Sequence, residues 1–119
     1  MGNVVELRRN KLFTLREARV ILPIVQKITT EAVAHVGTIR RQLDHLDPEG
    51  EQRPQFQEAL NQILQRWSLK IAKLGAEPKG FWLVDFDSGE GYFCWKYPEE
   101  DLGFFHPYET GLSGRTPIH

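Results

Sequence analysis

The stretch "FWLVDFDSGEGYFCWKY" at residues 81–97 decides the predicted fold of this chain. Two runs rich in aromatic and apolar residues, "FWLVDF" at 81–86 and "YFCWKY" at 92–97, flank the turn sequence "DSGEG". Aromatic and β-branched residues favour strands, and a short glycine-containing connection between two strands indicates a β-hairpin. The run "LGFFH" at 102–106 predicts a short third strand.

Upstream of this hairpin, a long first helix is predicted over about 15–46. Thr14 has the right side chain for its N-cap, and Glu17, three residues later, completes a capping box. Within the segment, apolar residues recur at intervals of three and four, which is the pattern of an amphipathic helix. Pro23 removes one backbone hydrogen bond, so we expect a kink near it and not necessarily a break.

A second helix is predicted after the loop sequence "DPEGEQRP". Pro54 suits the first turn of this helix, and Gly75 suits its C-terminal cap. Two amphipathic helices joined by a short loop predict an antiparallel helical hairpin over 14–75. The apolar stripe of the second helix consists of Phe56, Leu60, Ile63, Leu64, Trp67, Ile71 and Leu74.

The predicted fold class is therefore α+β in a single domain, 1–119. A long antiparallel helical hairpin at 14–75 is followed, over 80–119, by a small antiparallel β-sheet of two to three strands and an ordered C-terminal tail. The length of 119 residues suits one hydrophobic core.

Composition and charge exclude several classes of protein. With 40% hydrophobic and 26% charged residues, the chain is neither disordered nor fibrous in composition. No uncharged apolar stretch approaches the ~20 residues of a membrane helix, and with a single cysteine we expect a cytoplasmic protein. In 81–119, seven acidic residues oppose only Lys96 and Arg115, so the aromatic strands do not predict nucleic-acid binding.

Three stretches carry a resemblance to a known family: "FTLREARVILPIV" at 13–25, "GFWLVDFDSGEGYFCWKY" at 80–97 and "FHPYETGLSGRTPI" at 105–118. They resemble DUF2203, a family of small bacterial proteins of unknown function. The resemblance implies a bacterial protein and no particular activity. The positions that match the family's characteristic residues are Asp85, Cys94, Trp95, His106, Gly111, Gly114, Arg115 and Pro117.

One interpretation of these residues is catalytic. Cys94, His106 and Glu109 are the nucleophile, base and orienting carboxylate that a thiol enzyme requires. The opposing interpretation is that Cys94, between Phe93 and Trp95 in a strand, is a buried and inert side chain. The sequence leaves open whether the protein is an enzyme.

Metal binding is a second interpretation. Cys94, His106 and Asp85 are suitable ligand types, but they lack the close spacing of a zinc motif. Glu31 and His35, one turn apart on the first helix, are another candidate pair, or simply an ion pair at i,i+4. From the sequence alone we assign no metal and no cofactor.

A third interpretation is a small-anion site between the sheet and the tail, built from Asp85, Lys96, His106, Glu109 and Arg115. Arginine makes two-point contacts with carboxylates and phosphates. The alternative is that Arg115 pairs with an acid such as Asp85 or Glu109 and pins the tail to the sheet.

These observations favour a non-enzymatic protein that takes part in homo-oligomeric interactions or binds a small anionic ligand. The length of the first helix leaves a surface that a homodimer, formed through the helical hairpin, would cover. The alternative is a thiol- or metal-assisted hydrolase that uses Cys94, His106 and Glu109.

Overall fold

The computed structural model describes residues 11–118, which form two long helices followed by a five-stranded antiparallel sheet. The elements, in chain order, are α1 (Leu15–Asp44), α2 (Arg53–Lys73), β1 (Glu77–Lys79), β2 (Leu83–Asp87), β3 (Tyr92–Lys96), β4 (Phe104–His106), a 3-10 turn (Gly111–Gly114) and β5 (Thr116–Pro117). The α+β class, with two helices before the sheet, is confirmed.

Helix α1 begins at the predicted capping box. The backbone N–H of Glu17 donates to the hydroxyl of Thr14 at 3.0 Å, and the Glu17 carboxylate accepts from the Thr14 N–H at 2.9 Å. The helix continues without a break through Pro23 for 30 residues, or about 45 Å. Pro23 is exposed, so its missing hydrogen bond lies on the solvent side of the helix.

Helix α2 has the predicted ends. Pro54 lies in its first turn, and Gly75 follows the C-cap residue Leu74. Gly75 has a φ of 92°, and its N–H donates to the carbonyl of Ala72 at 2.9 Å. A glycine is needed here because a side chain would be strained at this φ and would collide with Lys11.

The sheet has five strands in the order β1-β2-β3-β4-β5, where two to three were predicted. The predicted strands correspond to β2, β3 and β4. The missed strands, β1 ("EPK") and β5 ("TP"), are three and two residues long and contain proline. Their sequences lack the apolar alternation of a strand, and they are recognisable only because they pair with β2 and β4.

Alternation along β2 and β3 gives the sheet two different faces. Val84, Phe86 and Trp95 are buried towards the helices, where they join Leu22, Val25, Trp67, Ile71 and Leu102 in one core. The intervening residues Asp85 and Cys94 therefore lie on the opposite, outer face of the sheet. The segment after β4 crosses this outer face.

Within residues 11–118, neither helix is both long enough and apolar enough to cross a membrane.

A buried hydrogen bond joins the two helices, and its loss should destabilise the fold. The indole N–H of Trp67 donates to the hydroxyl of Thr29 at 2.8 Å, and both residues are fully buried. We expect Thr29→Val to lower the free energy of unfolding in urea by about 1–3 kcal/mol, because the indole N–H would be left without an acceptor. Thr38→Val, an exposed change on the same helix, should cost less than about 0.5 kcal/mol. Equal effects of the two substitutions would contradict the assignment.

The homodimer through the helical hairpin stays a prediction. Val20 and Ile24 on α1 and Leu69 on α2 are 69%, 48% and 63% exposed, and apolar side chains such as these are covered in oligomers. Light scattering at micromolar concentration should give about twice the chain mass of 13.8 kDa. A mass near 13.8 kDa itself would show a monomer.

Candidate functional site

Three polar side chains from three neighbouring strands meet on the outer face of the sheet. Asp85 of β2 is opposite Cys94 of β3 in the strand register, and His106 of β4 lies on the far side of β3. Their exposed fractions are 5%, 2% and 2%, respectively. Within residues 11–118 they are the one group of three potential metal ligands found together, and their donor atoms all lie within 4.8 Å of one another.

His106 connects the sheet to the start of the tail. Its Nε2 lies 3.2 Å from both carboxylate oxygens of Asp85, and its Nδ1 lies 2.8 Å from the carbonyl oxygen of Pro107. Because a carbonyl oxygen can only accept, Nδ1 carries a proton. Nε2 then faces the Asp85 carboxylate.

Lys79 and Glu77 of β1 border this pair. The Lys79 ammonium lies 3.4 Å from the Glu77 carboxylate and 4.0 Å from that of Asp85, above the ring of Tyr92. The Tyr92 hydroxyl donates to Glu77 at 3.2 Å. Burial, followed by the charge of Glu77, raises the pKa of Tyr92 to about 12. Tyr92 is therefore a neutral hydrogen-bond donor at physiological pH.

A small cavity of about 140 Å³ opens beside these groups. One water needs roughly 10–15 Å³ of such volume, so the cavity has room for a small molecule. The tail residues Tyr108, Gly111 and Leu112 form its outer wall, and the sheet forms its floor. The remaining lining residues are Lys79, Leu83, Asp85, Tyr92, Cys94 and His106.

The state of Cys94 does not favour the thiol-enzyme interpretation. Burial raises the pKa of the Cys94 thiol to about 12, and the charge of Asp85 adds to the increase. A thiol nucleophile requires the opposite shift. In addition, the carboxylate bound to His106 belongs to Asp85, while Glu109 is an exposed residue of the tail.

The residues of the predicted anion site are not all directed at the same cavity. Arg115 stacks on Phe104, with 3.9 Å between the guanidinium carbon and the ring centroid. The guanidinium also donates to both oxygens of Glu99, at 2.7 and 2.8 Å. Arg115 thus pairs with an acid, as the alternative interpretation expected, but the acid is Glu99. Lys96 and Glu109 are exposed.

Glu31 and His35, the other candidate metal pair, are exposed on α1, where they border a narrow groove between the two helices.

Sequence reasoning missed two residues near the site. Glu99 is the first of three consecutive acids, and nothing local distinguishes it as the partner of Arg115. Lys79 belongs to β1, the strand that the sequence did not predict, so its position beside Asp85 was not foreseen. The Lys79–Asp85 contact depends on the pairing of β1 with β2, and the Arg115–Glu99 contact on the folding of the tail against the sheet.

The raised pKa of Cys94 predicts slow alkylation. At pH 8, a shift from 9.0 to about 12 lowers the thiolate fraction about a thousandfold. With chelator present, we expect iodoacetamide to label the folded protein at least about 100-fold more slowly than the urea-unfolded protein. Cys94 is the chain's single cysteine, so the label reports on this site alone. Equal labelling rates in the two states would restore Cys94 as a candidate nucleophile.

Comparison with known proteins identifies a family and no characterised relative. No curated protein and no solved structure matches the chain. A family model described as an uncharacterized conserved protein, DUF2203, matches residues 11–118, which include both helices, the sheet and the three site residues. The chain therefore belongs to the DUF2203 family.

Proposed function

We propose that this protein binds a divalent transition-metal ion of the zinc class through Asp85, Cys94 and His106. The observation that carries the proposal is the convergence of a carboxylate, a thiol and an imidazole, within 4.8 Å of one another, beside a cavity. All three side chains come from adjacent strands of a sheet, so their backbone positions are held rigidly.

The spacing of the imidazole and carboxylate donor atoms suits zinc. Zn–N and Zn–O bonds of about 2.0–2.2 Å place neighbouring ligands of a tetrahedral ion about 3.4 Å apart. The observed separation of His106 Nε2 from the Asp85 oxygens is 3.2 Å. An ion can therefore lie between these two side chains with little movement of either one.

The hydrogen bond on the other side of the imidazole supports the same role. Metal-bound histidines usually donate their second N–H to a carbonyl or carboxylate, which fixes the ring and its tautomer. The Nδ1–H of His106 makes such a bond to the Pro107 carbonyl at 2.8 Å. The ring is therefore already oriented with Nε2 towards Asp85 and Cys94.

Charge is the second argument for a cation. The buried Cys94 thiol lies beside the Asp85 carboxylate, so it loses its proton only if a positive charge takes the proton's place. A divalent ion supplies that charge, and together with a thiolate and a carboxylate it forms a neutral centre. Thiolate and imidazole ligands favour zinc-class ions over magnesium and calcium, which prefer oxygen.

The surroundings favour a cation over a free anion as the first ligand. Arg115 is already paired with Glu99. The hydroxyls of Tyr92 and Tyr108 donate to Glu77 and Asp87. These side chains are thus already paired with acids, whereas the donor atoms of a thiol, a carboxylate and an imidazole lie within 4.8 Å of one another.

Cobalt(II) substitution tests the proposal. Stoichiometric binding of Co²⁺ should produce a thiolate-to-cobalt charge-transfer band, which in this chain can come only from Cys94. Zinc should displace the cobalt ion and abolish the band. Elemental analysis of the purified protein should find zinc. No cysteine-dependent band at stoichiometric Co²⁺ would overturn the proposal without any variant being made.

Substitutions then identify the other ligands. His106→Gln and Asp85→Asn should each weaken Zn²⁺ binding at least about 100-fold. Mutation of a residue that only hydrogen-bonds to a metal ligand already lowers metal affinity about 10–100-fold. Glu31→Gln, at the other candidate pair, should leave Zn²⁺ affinity unchanged within about twofold. Circular dichroism establishes that each variant is folded. If Glu31→Gln weakened binding and the sheet variants did not, the ion would lie on α1.

A further inference from the structure

We infer that the metal ion retains one open coordination position, which faces the cavity and takes a small carboxylate with the help of Lys79. The inference rests on the proposed metal site and names the ligand class that the cavity admits.

The number of protein donors leaves a position unfilled. Zinc is bound by four ligands, and sites with three protein ligands keep the fourth for a water or an exogenous molecule. Asp85, Cys94 and His106 supply three.

Glu77 is an acidic candidate for a fourth protein ligand, because it is opposite Asp85 in the strand register. Its carboxylate is otherwise engaged. The Tyr92 hydroxyl donates to it at 3.2 Å, and the Lys79 ammonium lies 3.4 Å away. Coordination by Glu77 would break both contacts, so an external ligand is favoured.

The cavity has the size and lining for a small organic anion. Its volume of about 140 Å³ exceeds that of several waters, and Leu83 and Leu112 form an apolar part of its wall. Gly111, with a φ of 60°, lies at its edge, and apart from its chain neighbours no residue of 11–118 has a heavy atom within 4 Å of where a Cβ would be. A carboxylate with a short apolar tail fits this combination, because its oxygen would coordinate the metal while its carbon atoms contact the leucines.

Lys79 supplies the charge that selects an anion. It is the one lysine or arginine among the described residues that line the cavity. An ammonium has three N–H donors, and among residues 11–118 only Glu77 accepts within reach of Lys79, since the Asp85 oxygen is 4.0 Å away. A donor therefore stays free for a carboxylate bound at the metal.

The experiment titrates sodium acetate into the Co²⁺-loaded protein, with sodium chloride at equal ionic strength as the reference. Acetate should change the visible d–d bands of the cobalt ion while the thiolate charge-transfer band persists. Lys79→Gln, loaded with Co²⁺ to the same charge-transfer intensity, should raise the dissociation constant for acetate about fivefold to tenfold. Lys96→Gln removes an exposed lysine of β3 that does not line the cavity, and it should change the constant less than about twofold.

The outcomes separate the two proposals. If Co²⁺ produced the charge-transfer band but acetate did not change the d–d bands, the metal site would be supported. The proposal of an open coordination position would be overturned. In that case Glu77→Gln should alter the d–d bands, since Glu77 would be the fourth ligand. Acetate binding that Lys96→Gln weakens more than Lys79→Gln would place the anion elsewhere. Absence of the charge-transfer band would overturn both proposals.

Discussion

The strict alternation of side chains along the β2–β3 hairpin is the constraint on which the rest of the structure depends. Val84 and Phe86 must face the helices because they complete the apolar core, and both are fully buried. Because side chains alternate between the two faces of a strand, Asp85 must then lie on the outer face. The same rule applies across the hairpin, where burial of Trp95 against the core places Cys94 outside. The register of β2 and β3 therefore both packs the core and places Asp85 and Cys94 at the site.

An outer face with buried polar groups is stable only if something covers it and satisfies its hydrogen bonds. The tail does both. β5 pairs with β4, and Arg115 stacks on Phe104 while it donates to Glu99. Glu99 also accepts the backbone N–H of Lys96 through its carboxylate, at 2.9 Å. The tail is therefore tied to the turn after β3, and the cavity keeps its outer wall.

The long helix contributes to the same arrangement from the other side of the sheet. Gln26 donates to the backbone carbonyls of Glu99 and Glu100, and Arg19 donates to that of Leu102. The indole N–H of Trp95 donates to the Glu99 carbonyl at 2.8 Å. The turn after β3 is consequently held by the helix, the sheet and the tail together. This explains how the turn after β3, which has no apolar alternation of its own, can hold Glu99 in position to pair with Arg115.

The sequence by itself determined the features that depend on neighbours in the chain. The capping box of Thr14 and Glu17, the ends of α2 and the turn between β2 and β3 are all formed by residues a few positions apart, so their residue types are sufficient to predict them. The family could also be identified from the sequence, since motifs in order along the chain need no coordinates. Candidate site residues could be named in the same way, as chemical types.

Only the tertiary structure decided which of those residues meet. Asp85 and His106 are 21 positions apart, and Arg115 and Glu99 are 16 apart, so each pair is brought together by strand pairing and not by local sequence. β1 and β5 are too short and too polar to be recognised before their partner strands are in place. Local interactions select helices, turns and hairpins, whereas the meeting of a carboxylate, a thiol and an imidazole requires the whole sheet. The sequence could name these three residues as one candidate set among several, and only the pairing of the strands brings them together.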